Sequence, residues 1–207
     1  MRTFTIEDFT EEPCKSEWQA YQNAQTDAER ASVVLRNYAW ICDHSVATIA
    51  PLELVRECLQ AGADVDDKDS DGRTALMRAA GVGDADCVRL LIEAGADVDD
   101  KDSDGRTALM RATEEGDADC VRLLIKAGAD VDDKDSGGRT ALMRAARYNH
   151  TDCVRLLIEA GADVDDKDSD GWTALMRATE EGDADCVRLL IEAGAKTLMT
   201  LSKTSRH

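Results

Sequence analysis

Histidine, aromatic side chains, positive charge and long apolar runs are all scarce in this 207-residue chain. Three histidines, His44, His150 and His207, are too few for most catalytic or zinc constellations, which rely on imidazole as base or ligand. Apolar runs are short, as in Leu90-Leu91-Ile92, so no helix is expected to cross a bilayer. The opening residues Met1 to Asp8 lack the apolar stretch of a secretory signal, which points to a cytoplasmic or nuclear protein. Lys and Arg number 25 against 43 Asp and Glu, a formal net charge of −18. A phosphate backbone calls for a basic face, so nucleic acid is not an expected partner. No glycine-rich loop precedes a Lys-Ser/Thr pair, no Gly-x-Ser-x-Gly elbow occurs, and no Cys or Ser has a plausible His. The abundant carboxylates read as solvated turn residues, where nothing would tune them for acid–base work. The sequence assigns no catalytic residue, no metal set and no cofactor.

What is present is unevenly placed. Phe4, Phe9, Trp18, Tyr21, Tyr38 and Trp40 lie in the first 40 residues, and only Tyr148 and Trp172 follow. A domain that nearly dispenses with aromatics must pack small aliphatic side chains regularly. A period of 33 residues supplies the regularity: Asp71-Gly72-Arg73-Thr74-Ala75-Leu76-Met77-Arg78-Ala79 recurs from Asp104. It returns from Gly137, and again from Asp170 with Trp172 in the Arg slot. Self-similarity at a fixed period marks stacked units, each touching its neighbours.

Within a unit, Thr74 is placed to cap a short helix through Ala80, with Leu76 and Ala79 on one face. Gly83-Asp84 breaks it, and Asp84 or Asp86 starts a second helix through Cys87 to Ala94. Gly95 sits where a left-handed terminator belongs. An acidic turn, Asp97 to Gly105, leads to the next unit. These features, with the Thr-Ala-Leu-Met-Arg-Ala and Ala-Gly-Ala-Asp-Val blocks, resemble the ankyrin repeat family over roughly residues 38–200. The resemblance implies an all-α solenoid of helix-turn-helix-hairpin units. Ala75 and Met77, with their equivalents, replace the family's usual Pro and His, which implies somewhat lower stability per repeat. Counting back by 33 places a divergent first repeat at Ile41–Ala47 and Pro51–Gly62. Residues 16–37 read as one or two helices. The resulting division is an N-terminal extension and helical cap (1–37), five repeats (about 38–70, 71–103, 104–136, 137–169 and 170–200) and a basic tail (201–207). At the C-terminal end, either Leu198, Met199 and Leu201 fold back over the last helix, or an apolar patch stays exposed for a partner.

Two motifs suggest other chemistry. Cys87, Cys120, Cys153 and Cys186 recur every 33 residues, but stacked units lie about 10 Å apart while a disulfide needs Cα atoms within about 7 Å. Small buried apolar residues are the expected role, which leaves redox chemistry to Cys14 or Cys42. Asp67-Lys68-Asp69-Ser70-Asp71-Gly72 and its copies match the opening of an EF-hand loop. The closing acid of that loop falls on Arg78, Arg111 and Arg177, and a guanidinium cannot ligate calcium.

The family resemblance implies a concave groove for protein ligands, formed by hairpin tips and first helices. Near-identical repeats act as their own control, since positions that differ are candidates for contact. They are Gly81-Val82, Glu114-Glu115, Arg147-Tyr148-Asn149-His150, Glu180-Glu181, Gly137 against Asp, and Trp172 against Arg73, Arg106 and Arg139. Trp, Tyr and Arg are the residue types that most often dominate interfaces. A second candidate is the row Arg78, Arg111, Arg144 and Arg177, which either neutralises nearby turn acids or meets acids on an extended ligand. The expected function is non-catalytic recognition of a protein partner, as adaptor, scaffold or inhibitor. The candidate contacts are Arg73, Arg78, Val82, Arg106, Arg111, Arg139, Arg144, Arg147, Tyr148, Trp172 and Arg177. The alternatives are a calcium-responsive protein using the acidic loops and a self-assembling module stacking through its C-terminal helix. A monomer that meets basic patches on its partner is the expected solution state.

Overall fold

A hydroxyl, an acid and two glycines recur at fixed places in most units, and each sets a helix boundary or closes a turn. Thr74, Thr107, Thr140 and Thr173 are extended and accept the amides of Met77, Met110, Met143 and Met176. They start α3 (Ala75–Gly81), α5 (Ala108–Glu115), α7 (Ala141–Arg147) and α9 (Ala174–Glu181); such a cap contributes about 1 kcal/mol. Asp84, Asp117 and Asp183 accept the amides of Cys87, Cys120 and Cys186. They start α4 (Ala85–Glu93), α6 (Ala118–Lys126) and α10 (Ala184–Glu192). α8 (Thr151–Glu159) begins after His150, which makes no such side-chain cap. Upstream lie α1 (Asp27–Arg36) and α2 (Pro51–Gln60), the latter with proline in the first position, where a missing N–H costs nothing.

The computed structural model describes residues 20, 23–36 and 51–196, and among these there are ten helices and no strand. The aromatic N-terminal segment, the first helix expected at Ile41–Ala47, Cys14, Cys42, Leu198, Met199, Leu201 and the basic tail lie outside the described residues.

Helices of seven to ten residues are too short to stand alone in water, so stacking must hold them. First helices pack on one another in the order α3, α5, α7, α9, and second helices in the order α2, α4, α6, α8, α10. The core is a ladder of identical rungs. Leu76, Leu109, Leu142 and Leu175 are buried, as are Ala79, Ala112, Ala145 and Ala178 and then Leu91, Leu124, Leu157 and Leu190. The alanines let first helices approach closely, which explains why the fold needs few aromatics. Cys58, Cys87, Cys120, Cys153 and Cys186 are buried. Burial pushes the Cys153 thiol up to about 11 and those of Cys58 and Cys186 to about 12, so these groups are neutral packing residues.

The acidic turns depart from the expectation of solvated carboxylates. Asp69, Asp102, Asp135 and Asp168 are buried, because each is the hub of its turn. Asp69 accepts the amides of Asp71 and Arg73, both at 2.9 Å, and Gly72, at φ 75°, supplies the left-handed step that closes the loop. Successive turns are also joined. The amides of Ser103, Ser136 and Ser169 donate to the carbonyls of Asp71, Asp104 and Gly137 at 2.9–3.0 Å. Lys68, Lys101 and Lys134 reach Asp100, Asp133 and Asp166 in the next turn at 2.7–2.8 Å. The amides of Asp97, Asp130, Asp163 and Lys196 donate to Asp66, Asp99, Asp132 and Asp165. At the N-terminal side α1 takes over this role, since Ser32 Oγ accepts the Asp64 amide at 2.8 Å.

Candidate functional site

One arginine per unit projects from each first helix toward its own turn. Arg78, Arg111, Arg144 and Arg177 pair with Asp69, Asp102, Asp135 and Asp168, each nine residues earlier. Burial pushes the Asp102 and Asp168 carboxyls up, but amide and guanidinium hydrogen bonds outweigh it and hold both below the usual range. The second arginine of each unit stands at the turn: Arg73 meets Asp71 at 3.3 Å and Arg106 meets Asp104 at 2.8 Å. Gly137 removes that acid in the next unit, and Arg139 turns its Nε to Asp135 instead, at 2.9 Å.

The unit containing α7 and α8 is the one that departs most from its neighbours. Where Glu114-Glu115-Gly116-Asp117 ends the first helix of one unit, Arg147-Tyr148-Asn149-His150 stands in the next. Asn149 takes the left-handed conformation, φ 61°, that glycine takes elsewhere. His150 no longer caps its helix; its Nε2 lies 3.1 Å from the Glu114 carbonyl oxygen. The ring covers Gly116, where an added Cβ would fall 2.4 Å from Nδ1. Tyr148 is 48% exposed, with the Arg147 guanidinium 5.9 Å from its ring centroid.

These departures gather six of the eleven candidate residues around one cavity. Arg106, Arg139, Arg144, Arg147, Tyr148 and Arg177, with Glu114 and Met143, enclose about 180 Å³. Arg144 is the innermost of the row, its side chain 7% exposed and paired with both Asp135 and Glu114. Glu114 was not among the sequence candidates as a partner of Arg144. Its signal was the repeat itself, because the last turn of one first helix meets the middle of the next.

Other candidates lie apart. Val82, 47% exposed, borders an open hollow with Asp84, Asp86, Asp117 and Asp119. Trp172 stacks on Arg177, whose guanidinium carbon is 4.5 Å from the ring centroid. Trp172 also borders an apolar groove of about 610 Å³ with Leu175, Met176, Val187 and Ile191 at the end of the described stack. Arg73, Arg78 and Arg111 are occupied by turn acids and line none of the three. The calcium-like motif is likewise engaged, since Asp69 spends its oxygens on the amides of Asp71 and Arg73 and on Arg78. Among the described residues no three His, Cys, Asp or Glu side chains are grouped to hold a metal ion. Among the same residues no helix is long and apolar enough to cross a membrane.

A family model describing ankyrin repeats, three copies in length, matches residues 44–135 and 130–200. The chain belongs to the ankyrin repeat family, and its helices form the all-α solenoid of that family. Ankyrin repeats are generally protein–protein interaction modules, and proteins built from them are typically non-enzymatic. No curated protein matches the chain.

Proposed function

We propose that this chain is a non-catalytic recognition module, an adaptor, scaffold or inhibitor acting in the cytoplasm, whose turns and first helices receive a protein partner. The observation that carries this reading is the clustering of its variable positions. Of the positions at which otherwise near-identical repeats differ, Glu114, Arg147 and Tyr148 line one arginine-lined cavity and Trp172 stacks on Arg177 of its wall, while Val82 and Glu180 border other hollows. Stacked units hold Arg, Tyr and Trp at fixed intervals, so little ordering entropy is lost on binding. The net charge of −18 favours encounter with a partner whose average charge is positive, and makes the association rate fall with salt.

Affinity capture with wild type beside Tyr148→Ala/Trp172→Ala tests the reading. Proteins held by wild type and lost from the double variant are the expected result. Retention of every protein by both forms would overturn the assignment of this face.

A further inference from the structure

The cavity between α5, α7 and α9 is basic inside an acidic molecule. Five arginines and one glutamate line it, whereas the chain as a whole carries −18. The reversal comes from one unit, where Gly137 replaces an aspartate and Arg147, Tyr148 and His150 replace two glutamates and an aspartate. Arg147 makes no ion pair with any described acid, and its near neighbour is the Tyr148 ring. Arg139 has lost the acid that Arg73 and Arg106 keep.

The wall also holds unsatisfied donors. Arg144 is more than nine-tenths buried; its Nε, like those of Arg73, Arg106 and Arg111, is buried without a hydrogen-bond partner, and its two terminal nitrogens are taken by Glu114 and Asp135. Burying guanidinium donors without partners is unfavourable. Burial, then repulsion from Arg106, pulls the Arg144 group down to about 10. An incoming anion beside Arg139 and Arg147 would offset the repulsion among these guanidinium groups.

We infer that this cavity is the receptor for a carboxylate side chain of the protein partner, seated against Arg139, Arg144 and Arg147 and covered by Tyr148. This deepens the recognition reading above and rests on it. A carboxylate suits the site better than a phosphate dianion, because Glu114 forms part of the wall and would repel the second charge. The planar guanidinium fork matches a carboxylate bidentately. The partner segment therefore carries one buried acid within surroundings of neutral or basic charge, which the acidic edge tolerates.

The test uses dye-labelled peptides Lys-Lys-Gly-X-Gly-Lys-Lys, in which X is Glu, Gln or phosphoserine, titrated into the full chain by fluorescence anisotropy. The flanking lysines give all three the same attraction to the acidic edge, so only X reports on the cavity. The Glu peptide should bind about tenfold more tightly than the Gln peptide, the scale of one charged hydrogen bond. Arg147→Ala and Arg139→Ala should each reduce that preference to about twofold or less. Arg122→Ala, on the opposite helix layer, should leave it intact, and circular dichroism checks that all variants fold. Equal binding of Glu and Gln peptides to wild type would overturn the inference, as would an equal loss in Arg122→Ala. Tighter binding of phosphoserine than of Glu would overturn the carboxylate assignment. Partner capture through Tyr148 and Trp172 is a separate readout, so failure here leaves the recognition reading standing.

Discussion

Residues 104–129 and 170–195 differ only at Arg106/Trp172 and Lys126/Glu192, yet the two segments inhabit different surroundings. The first lies between neighbours on both sides, while beyond the second the described residues stop at Lys196. Met110 is 1% exposed where Met176 is half-buried, and Thr113 is buried where Thr179 is exposed. Ile125 is half-buried and Ile191 is 47% exposed. Local chemistry is nevertheless copied faithfully. Thr107 and Thr173 cap alike, Asp117 and Asp183 cap alike, and Asp102–Arg111 repeats as Asp168–Arg177. The caps and the Asp–Arg pair, which close within about ten residues, are the same in both; burial, which needs the next unit, differs.

The largest expected contrast comes from the methionines. Met110→Ala should cost about 2–5 kcal/mol, the range for emptying a buried site, and Met176→Ala about 1 kcal/mol or less. Urea denaturation of the two variants measures this, and equal losses would break the comparison. Glycines come next. Gly105 and Gly171 share a left-handed φ, 77° and 82°, so alanine strains both backbones. At Gly105 the new Cβ would also meet the Ser136 amide nitrogen at 2.9 Å, whereas nothing lies within 4 Å of one at Gly171. Gly105→Ala should therefore be worse than Gly171→Ala by a further ~1–3 kcal/mol.

Acid titration should show no such contrast, because the Asp–Arg pair closes within its own unit. The Asp102 and Asp168 carboxyls sit below their ordinary value of 3.8 in the folded chain. The unfolded chain thus takes up these protons first. Their contribution is full above that value and is lost as pH falls through it toward the folded values. Stability measured from about pH 5 down to about pH 2 should decline, and Asp102→Asn and Asp168→Asn should each remove a similar share of the decline. Thiol labelling at neutral pH gives a smaller signal. Cys120 and Cys186 are both 0% exposed and pushed upward by burial, so neither should react in the folded chain. Under mild urea Cys186 should label first, since the end of a stack opens before its middle. Calcium should have the least effect: calorimetry should find no stoichiometric micromolar site, because the turn acids are already hydrogen-bonded.

Much of the fold was legible because its signals are local. The threonine caps, the left-handed glycine at Gly95 and the start of the second helix follow from residue type and spacing alone. The aspartate at Asp84 resolved the choice between Asp84 and Asp86, since its side chain accepts the Cys87 amide. The buried turn acids were not legible as buried. Asp69 looks like any acid in a hydrophilic run, and only closure of its turn shows that its oxygens are already committed. The candidate site was partly legible too. Comparing repeats drew attention to Arg147, Tyr148 and Trp172, but could not show that the first two share a cavity with Arg106 of the preceding unit, while Trp172 borders a separate groove.

By itself, the amino-acid sequence determined the period, the helix boundaries and the rungs of the core. These depend on backbone hydrogen bonds and side-chain caps that reach only a few residues. Tertiary structure alone decided which copies of a residue are buried, that Glu114 and Asp135 converge on Arg144, and that five arginines face one hollow. Such outcomes depend on which surfaces stacking brings together, and identical sequences meet different neighbours according to their place in the stack.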